Sequence, residues 1–536
     1  MQFCVHFEKG GSAISVWPLR VLGTFVLVLA ASGLVVPSTG FAATGVATPH
    51  VGGSITTAAS DLGILDPLAP GAVDSNEGLA AQILGTLFRP PPTPNASPVP
   101  DLATGYQFNK KGTAITITLR RGVRFSDGTA FNPQAVIWNL RRSATTSQVG
   151  ATLLGTVSGM SASGANAVTV SFSAPDFTFM TACATSAICA MDSPTAFGRL
   201  GAAEFAANPV GAGPFRLSST SSQRDVLVRN PLYWDARHVY IARWTIVDQG
   251  SDPVATYQAV IQDSIQGAAF ARMGTPPSVL FLAANNHNVT SRVTPDLDYG
   301  FLPLNAHRAP FSDQRAREAL DFCTNRSALV KSATSGYASA AYVLAGSASL
   351  YLPKPGGVRG AQSLMPYKYE PVQASTLVVE LGGLTFQLDT TSASAAVANA
   401  LAAEWAACDI HAQVVVEPEA QLDANIAAGT YQAAYLTVPG AANPASSMAR
   451  EAPASPLSVP GLTDSRLATL AQAVASTASP SRAASLWHQI WFEENTDAID
   501  IPILSSGTMV VLSHCLRDVG YADGISLTHA WLACTP

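Results

Sequence analysis

The longest apolar run of this chain lies at its very start. Residues 21–36 read VLGTFVLVLAASGLVV, with Lys9 and Arg20 ahead of them and the small residues Ser38, Thr39, Gly40, Ala42 and Ala43 behind. A bilayer crossing takes about 20 apolar residues, and no run beyond residue 36 reaches that length. A polytopic membrane protein is therefore excluded. A chain of this length can bury a sizeable core of its own. A positive flank, an apolar stretch and a small-residue end together form the pattern of a secretory signal peptide. Cleavage after Ala42 places Gly40 at −3 and Ala42 at −1. We assign residues 1–43 to the signal segment and expect export; retention of the run as an uncleaved anchor is the alternative. No cysteine follows the run closely enough to carry a lipid anchor, and Cys4 precedes it.

The remaining composition narrows the class. Only 12% of the 536 residues are charged, against about 25% in an average soluble protein. At roughly 150 residues per domain the length suggests three or four folding units. The net charge of −6 shows no basic excess, which argues against a partner that is tracked by its phosphates, so no nucleic acid is expected. Six cysteines lie beyond Cys4, an even number in an exported chain, which permits disulfides. Cys183/Cys189 and Cys515/Cys534 are spaced for short loop closures. Cys323 follows Ala316, Ala319 and Leu320 on a helical stripe, and Cys408 follows Leu401 and Trp405. These two read first as buried thiols; if the two helices are neighbours, they are bridged instead.

Periodicity points to a mixed α/β fold. Gly112 to Leu119, GTAITITL, alternates Ile115, Ile117 and Leu119 with Thr116 and Thr118, the signature of a half-buried strand. After the Asp127-Gly128 turn, Asn132 and Pro133 form a helix start, with Val136, Ile137 and Leu140 facing inward. The Pro-rich stretch Arg89 to Pro100 reads as a surface loop. Thr376 to Leu388 is β-rich and broken by Gly382-Gly383, Ala396 to Ala407 is helical, and Ala412 to Glu417 is a strand. Such alternation predicts helices on the faces of a sheet.

Catalytic signatures are missing. There is no GxSxG, HExxH, CxxC pair or GxxxxGK[ST], and the nine histidines are scattered. In Gly211-Ala212-Gly213-Pro214 the proline removes a backbone donor that a phosphate cradle would need. Trp487, His488 and Trp491 on one helix read as core with a satisfied histidine. Glu493-Glu494 do not face each other on a helix. An exported hydrolase would need a nucleophile and a base that this sequence does not display.

Several blocks then carry a resemblance. They are Leu65-Asp66-Pro67, Pro100-Asp101-Leu102-Ala103, LRRGVRFSDGTAFNPQAVIWNLRR at 119–142, NPVGAGPF at 208–215 and RNPLYW at 229–234. FSDQRAREALDFCTNRSALV at 311–330, Gly336-Tyr337-Ala338 and Ile501-Pro502-Ile503 complete the series. In this order they resemble the extracytoplasmic solute-binding proteins of peptide-type ABC importers, family 5, over nearly the whole chain after residue 50. The resemblance implies an α/β, two-lobed periplasmic-binding-protein fold of the large peptide-binding type, with an extra subdomain in the first lobe. The expected division is 48–86 for the first part of lobe I, 87–207 for the inserted subdomain and 208–292 for lobe I continued. Lobe II then spans 293–503, and 504–536 returns to lobe I. Most matching residues are expected to hold the fold rather than touch ligand.

The same resemblance implies the function and the site. A monomer would close around a peptide or related small solute and deliver it to ABC permease subunits at the outer face of a bacterial membrane, with no bond made or broken, no cofactor and no metal. One pocket loop matches Gly71, Ala72, Val73, Asp74, Ser75 and Asn76. The second lies within Tyr431 to Pro444, with Leu436, Thr437, Val438, Pro439 and Gly440 as lining. In relatives that loop carries a Trp and then an Asp that holds a peptide's α-ammonium. Here Val438 and Ala441 stand at those positions. Either Asp74 supplies the anion from the opposite loop, or the cargo lacks a free ammonium and is more apolar. A binding-fold protein that senses or regulates at the envelope without transporting is the alternative function.

Overall fold

A computed structural model describes residues 48–536 except 60, 61, 63, 70–76, 91–96, 249, 251, 273, 274, 295, 296, 354–357, 439, 441–443, 446–464, 521–525, 535 and 536. Three sheets organise it. A seven-stranded sheet has the spatial order Val289–Val293, Thr508–Ser513, Gly267–Ala271, Gly52–Ala59, Ile241–Asp248, Arg224–Arg229, Phe215–Ser221. A four-stranded antiparallel sheet is formed by Ala103–Phe108, Ala114–Leu119, Ala167–Phe172 and Val157–Ala162. A six-stranded sheet contains Ser339–Ala340, Asp500–Ser506, Asp298–Pro303, Ala433–Val438, Leu384–Thr390 and Ile410–Val416. The first and third sheets are the cores of the two lobes.

Local chemistry explains most elements. In Ala114–Leu119 the residues Ile115, Ile117 and Leu119 are buried, as their alternation requires. The helix Pro133–Thr146 starts where Asn132 accepts a hydrogen bond from Ala135 N (3.0 Å) with Pro133 in its first turn. Its buried stripe includes Val136, Ile137 and Leu140. On the helix Pro480–Asp497, Trp487 and Trp491 are core residues and His488 Nε2 lies 2.7 Å from Tyr351 O.

Two expectations are corrected. Thr376 to Glu380, read as β-rich, belongs to the helix Pro371–Glu380. Pro371 opens that helix, and Ala374, Leu377 and Val378 form the stripe it buries. Tertiary packing there overrides the β preference of the valines. The helix then ends at Gly382 and Gly383, both with positive φ, and the strand begins only at Leu384. Second, Cys323 and Cys408 are not free thiols. They form a disulfide, as do Cys183–Cys189 and Cys515–Cys534. The helix Gln314–Phe322 and the helix Ala395–Trp405 share one core cluster, which brings the two sulfurs together across 85 residues of sequence.

Buried polar contacts tie the resembling blocks to one another. Arg142 forms ion pairs with both Asp66 and Asp192, and all three side chains are buried. Asp101 Oδ1 accepts from Tyr233 Oη (3.0 Å) and Trp234 Nε1 (2.8 Å), while the Arg120 guanidinium lies over the Trp234 ring. Arg326 donates to Asp321 (2.7 Å) and to Pro502 O (2.6 Å). The segment at Gly211 and Gly213 lies against the backbone of the helix Glu77–Leu84, where a Cβ on either glycine would strike main-chain atoms. Ala212 N and Gly213 N donate to Leu84 O (2.8 Å) and Ile83 O (3.0 Å). Most of the blocks thus hold the fold through these contacts.

Candidate ligand-binding site

The chain passes between the two lobe sheets twice, side by side. It leaves the first sheet at Val293, enters the second at Asp298, and returns between Ser506 and Thr508 through Gly507. The two passages are bonded to each other: Thr294 N donates to Thr508 O (2.9 Å), and Thr508 N to Thr294 Oγ1 (2.8 Å). Val293 thus belongs to the first sheet and Leu504 to Ser506 to the second. The parallel strands of both sheets end at this junction. Ala271 pairs with Thr508, and Gly52–Ala59 and Ile241–Asp248 run parallel to that strand's direction. In the second sheet, Val438 pairs with Tyr299 next to the crossing, and Leu384–Thr390 runs parallel to its strand. The carboxyl ends of parallel strands are where open α/β sheets bind ligands.

Of the sequence-predicted site residues in the second lobe, Leu436 and Val438 are buried with Tyr299, Phe301 and Ile426. Thr437 is exposed, with its hydroxyl 3.3 Å from Ser394 Oγ. Gly440 N donates to Asp298 Oδ1 (3.3 Å), and a Cβ on Gly440 would collide with Leu297 O. Gly440 therefore lies directly on the first inter-lobe passage. Forcing a side chain there costs about 1–3 kcal/mol, so Gly440→Ala is expected to lower the melting temperature. An unchanged melt would show that the passage has room. Gly71, Val73, Asp74, Ser75, Asn76 and Pro439 lie outside the described residues, as does Ala441.

Pro67 and Gly78, which bracket the predicted Gly71–Asn76 loop, both line a cavity of about 270 Å³. The described lining includes Gln82, Thr86, Arg89, Asp101, Tyr233 and Ser526. Gln82 sits on the helix Glu77–Leu84 that Gly211 and Gly213 press into place; its amide meets Ser526 Oγ at 3.2 Å and Thr528 Oγ1 at 3.1 Å. Arg89 ends the short strand Phe88–Arg89, paired with Val99–Pro100, and Asp101 follows the partner strand directly. Burial first, and the Asp101 carboxylate second, push the Tyr233 hydroxyl far above its ordinary pKa, so it stays a donor to Asp101. Burial and the nearby Arg89 charge hold His529 below the usual histidine value, partly offset by Asp235.

Arg89 was not singled out from sequence. It opens a stretch that reads as a Pro-rich surface loop, and nothing local says that Phe88 pairs with Pro100 and Arg89 with Val99, which turns it inward. His514, Cys515 and Cys534 place donor atoms within 4.8 Å of one another. Both thiols are consumed by their disulfide, so the group offers no thiolate to a metal. Among the described residues, no helix is long and apolar enough to cross a membrane.

The model of the family "Bacterial extracellular solute-binding proteins, family 5 Middle" matches residues 97–451. The glutathione-binding protein GsiB of Salmonella choleraesuis (strain SC-B67) is 30% identical over 286 residues, which is 52% of each chain. The chain thus spans about half the length of the curated relatives it matches. Among solved structures, the dipeptide binding protein of Pseudoalteromonas sp. SM9913 in complex with Met-Leu superposes with a TM-score of 0.76. It is 16% identical, over 90% of this chain and 100% of that one. DppA of Helicobacter pylori, in complex with peptide STSA, gives 0.75 at 17% identity over 90% and 99%. These structures share its fold. With a family match over more than half of its length and the two-lobed architecture that the blocks implied, the chain belongs to family 5 of the bacterial extracellular solute-binding proteins.

Proposed function

We propose that the protein is the solute-capturing component of an ABC importer, which binds a small peptide or related solute and presents it to permease subunits on the extracytoplasmic side of the membrane. The observation that carries this reading is the paired inter-lobe passage, with Thr294 on one crossing bonded to Thr508 beside Gly507 on the other, and with the parallel strands of both sheets ending beside it. Two adjacent crossings form a hinge about which lobes can close on a ligand. The cavity lined by Pro67, Gly78 and Gln82 supplies a first-lobe wall for that ligand. We place lobe I at 48–293 and 508–536, interrupted by the subdomain, and lobe II at 298–506. The protein acts as a monomer after removal of residues 1–43, and its work is capture rather than catalysis. GsiB is named for glutathione, and the fold relatives hold short peptides; such compounds are the first to test.

A ligand that binds only the native state stabilises it by RT ln(1 + [L]/Kd), about 2.7 kcal/mol at a hundredfold excess over Kd. Thermal melts of the chain from residue 44 with glutathione, dipeptides, longer peptides and sugars are expected to show a concentration-dependent rise for at least one class. A folded sample that responds to none of them would refute the proposal.

A further inference from the structure

Arg89 has no structural task that the fold reveals. Arg89 is half-buried, and comparable arginines are committed: the buried Arg142 to two aspartates, Arg326 to Asp321 and Pro502 O and Arg317 to Phe311 O and Asp497 O, and the half-buried Arg229 to Val239 O. Arg89 makes no hydrogen bond or ion pair among the described residues, and its Nε is buried without an acceptor. A buried donor left unpaired costs about 1–3 kcal/mol, more when charged, so such groups call for an explanation. The explanation lies in the position of the side chain, on the wall of the 270 Å³ cavity.

We propose that Arg89 is the anion anchor of this cavity and that the cargo carries a carboxylate. The inference rests on the reading above that the cavity belongs to the solute site. The planar guanidinium presents its donors in a fork that matches the two oxygens of a carboxylate. The neighbouring groups do not compete for that role. Gln82 is occupied by Ser526 and Thr528, and Asp101 accepts from Tyr233, Trp234 and, at 3.5 Å, Thr86 N. Asp101 forms no ion pair with Arg89, so the cation remains available to an incoming anion. Water occupies about 30 Å³ per molecule in the liquid; the cavity therefore has room for a carboxylate and a short stem. The resulting selectivity differs from an amine-led one. The resemblance puts Ala441 where relatives carry the ammonium-holding Asp, and on this proposal recognition passes to the acidic end of the solute.

Two measurements test this on the chain from residue 44. In ¹⁵N-labelled protein, the Arg89 Nε–H resonance is identified by its loss in Arg89→Gln, or in Arg89→Lys should the glutamine variant not fold. Acetate is expected to move it and acetamide to leave it in place; an equal response, or none, would overturn the anchor. Second, each solute that raises the melting temperature is compared with its C-terminal amide by calorimetry. Losing a charge-assisted bond of this kind weakens binding by about 10- to 100-fold. That acid-to-amide ratio is expected in the native protein and should shrink towards one in Arg89→Gln. Solutes that bind as tightly as their amides would leave the capture function standing and remove Arg89 from it. An acetate-responsive Arg89 in a protein that no solute stabilises would do the reverse.

Discussion

Arg142→Ala is expected to cost about 3–5 kcal/mol, because removing one member of a buried ionic group leaves its partners charged and unpaired. The arginine sits between Asp66 and Asp192, with its guanidinium also over the Phe197 ring. Burial, and then the Asp66 charge, push the Asp192 carboxyl up to about 7, against the pull of Arg142. A carboxyl raised in the folded state binds its proton more tightly there than in the unfolded chain. Its contribution to stability is therefore largest below the unfolded pKa of about 3.9 and is lost as pH climbs through about 7. With Arg142 gone the opposing pull vanishes, so the variant's deficit should be largest above pH 7 and shrink on acidification. Urea melts at pH 5 and pH 8.5 would measure both. Equal deficits at the two values would show that the aspartates do not titrate as a buried group. Loss of the arginine also unpins the start of the segment leading to the Gly71–Asn76 loop, since Asp66 lies only a few residues before it.

The second large effect concerns Cys323–Cys408. A bridge that closes 85 residues of sequence removes unfolded-state entropy worth about 4–5 kcal/mol in the chain-entropy model. The double variant Cys323→Ala/Cys408→Ala should lose stability of that order, and it should do so in the second lobe. Hydrogen exchange in the helices Gln314–Phe322 and Ala395–Trp405 would report it directly. The shorter closures, separated by 6 and 19 residues, constrain the unfolded chain less and should each cost less. If the double variant melted like the native protein, the two helices would be held by packing alone. Trp405, whose Nε1 donates to Thr324 Oγ1 at 3.0 Å, and Leu320 would then suffice.

Helix and strand identity was legible wherever a periodic pattern coincided with a start or stop signal. Asn132-Pro133 opened a helix, Ile115 to Leu119 alternated along a strand, and Gly382-Gly383 ended an element. Where such signals conflicted, composition misled: Val378 and Val379 read as strand but complete a helix whose stripe packs against Gln314–Phe322. The cysteines illustrate the same limit over longer range. Spacing pointed to the two short closures, while the bridge across 85 residues depended on two helices being neighbours.

The sequence by itself determined the family and the class of fold, because these are carried by short local patterns in a particular order. Only the tertiary structure decided what those patterns hold together. Asp66 and Asp192 are 76 and 50 residues from Arg142 in sequence, yet the three form one buried ionic group. Arg89 looks like the edge of a surface loop until pairing of Phe88–Arg89 with Val99–Pro100 turns it towards a cavity. The physical reason is the same in each case. Burial removes the water that would otherwise satisfy a charge, and which charges lose their water depends on contacts between segments that no local stretch of residues encodes.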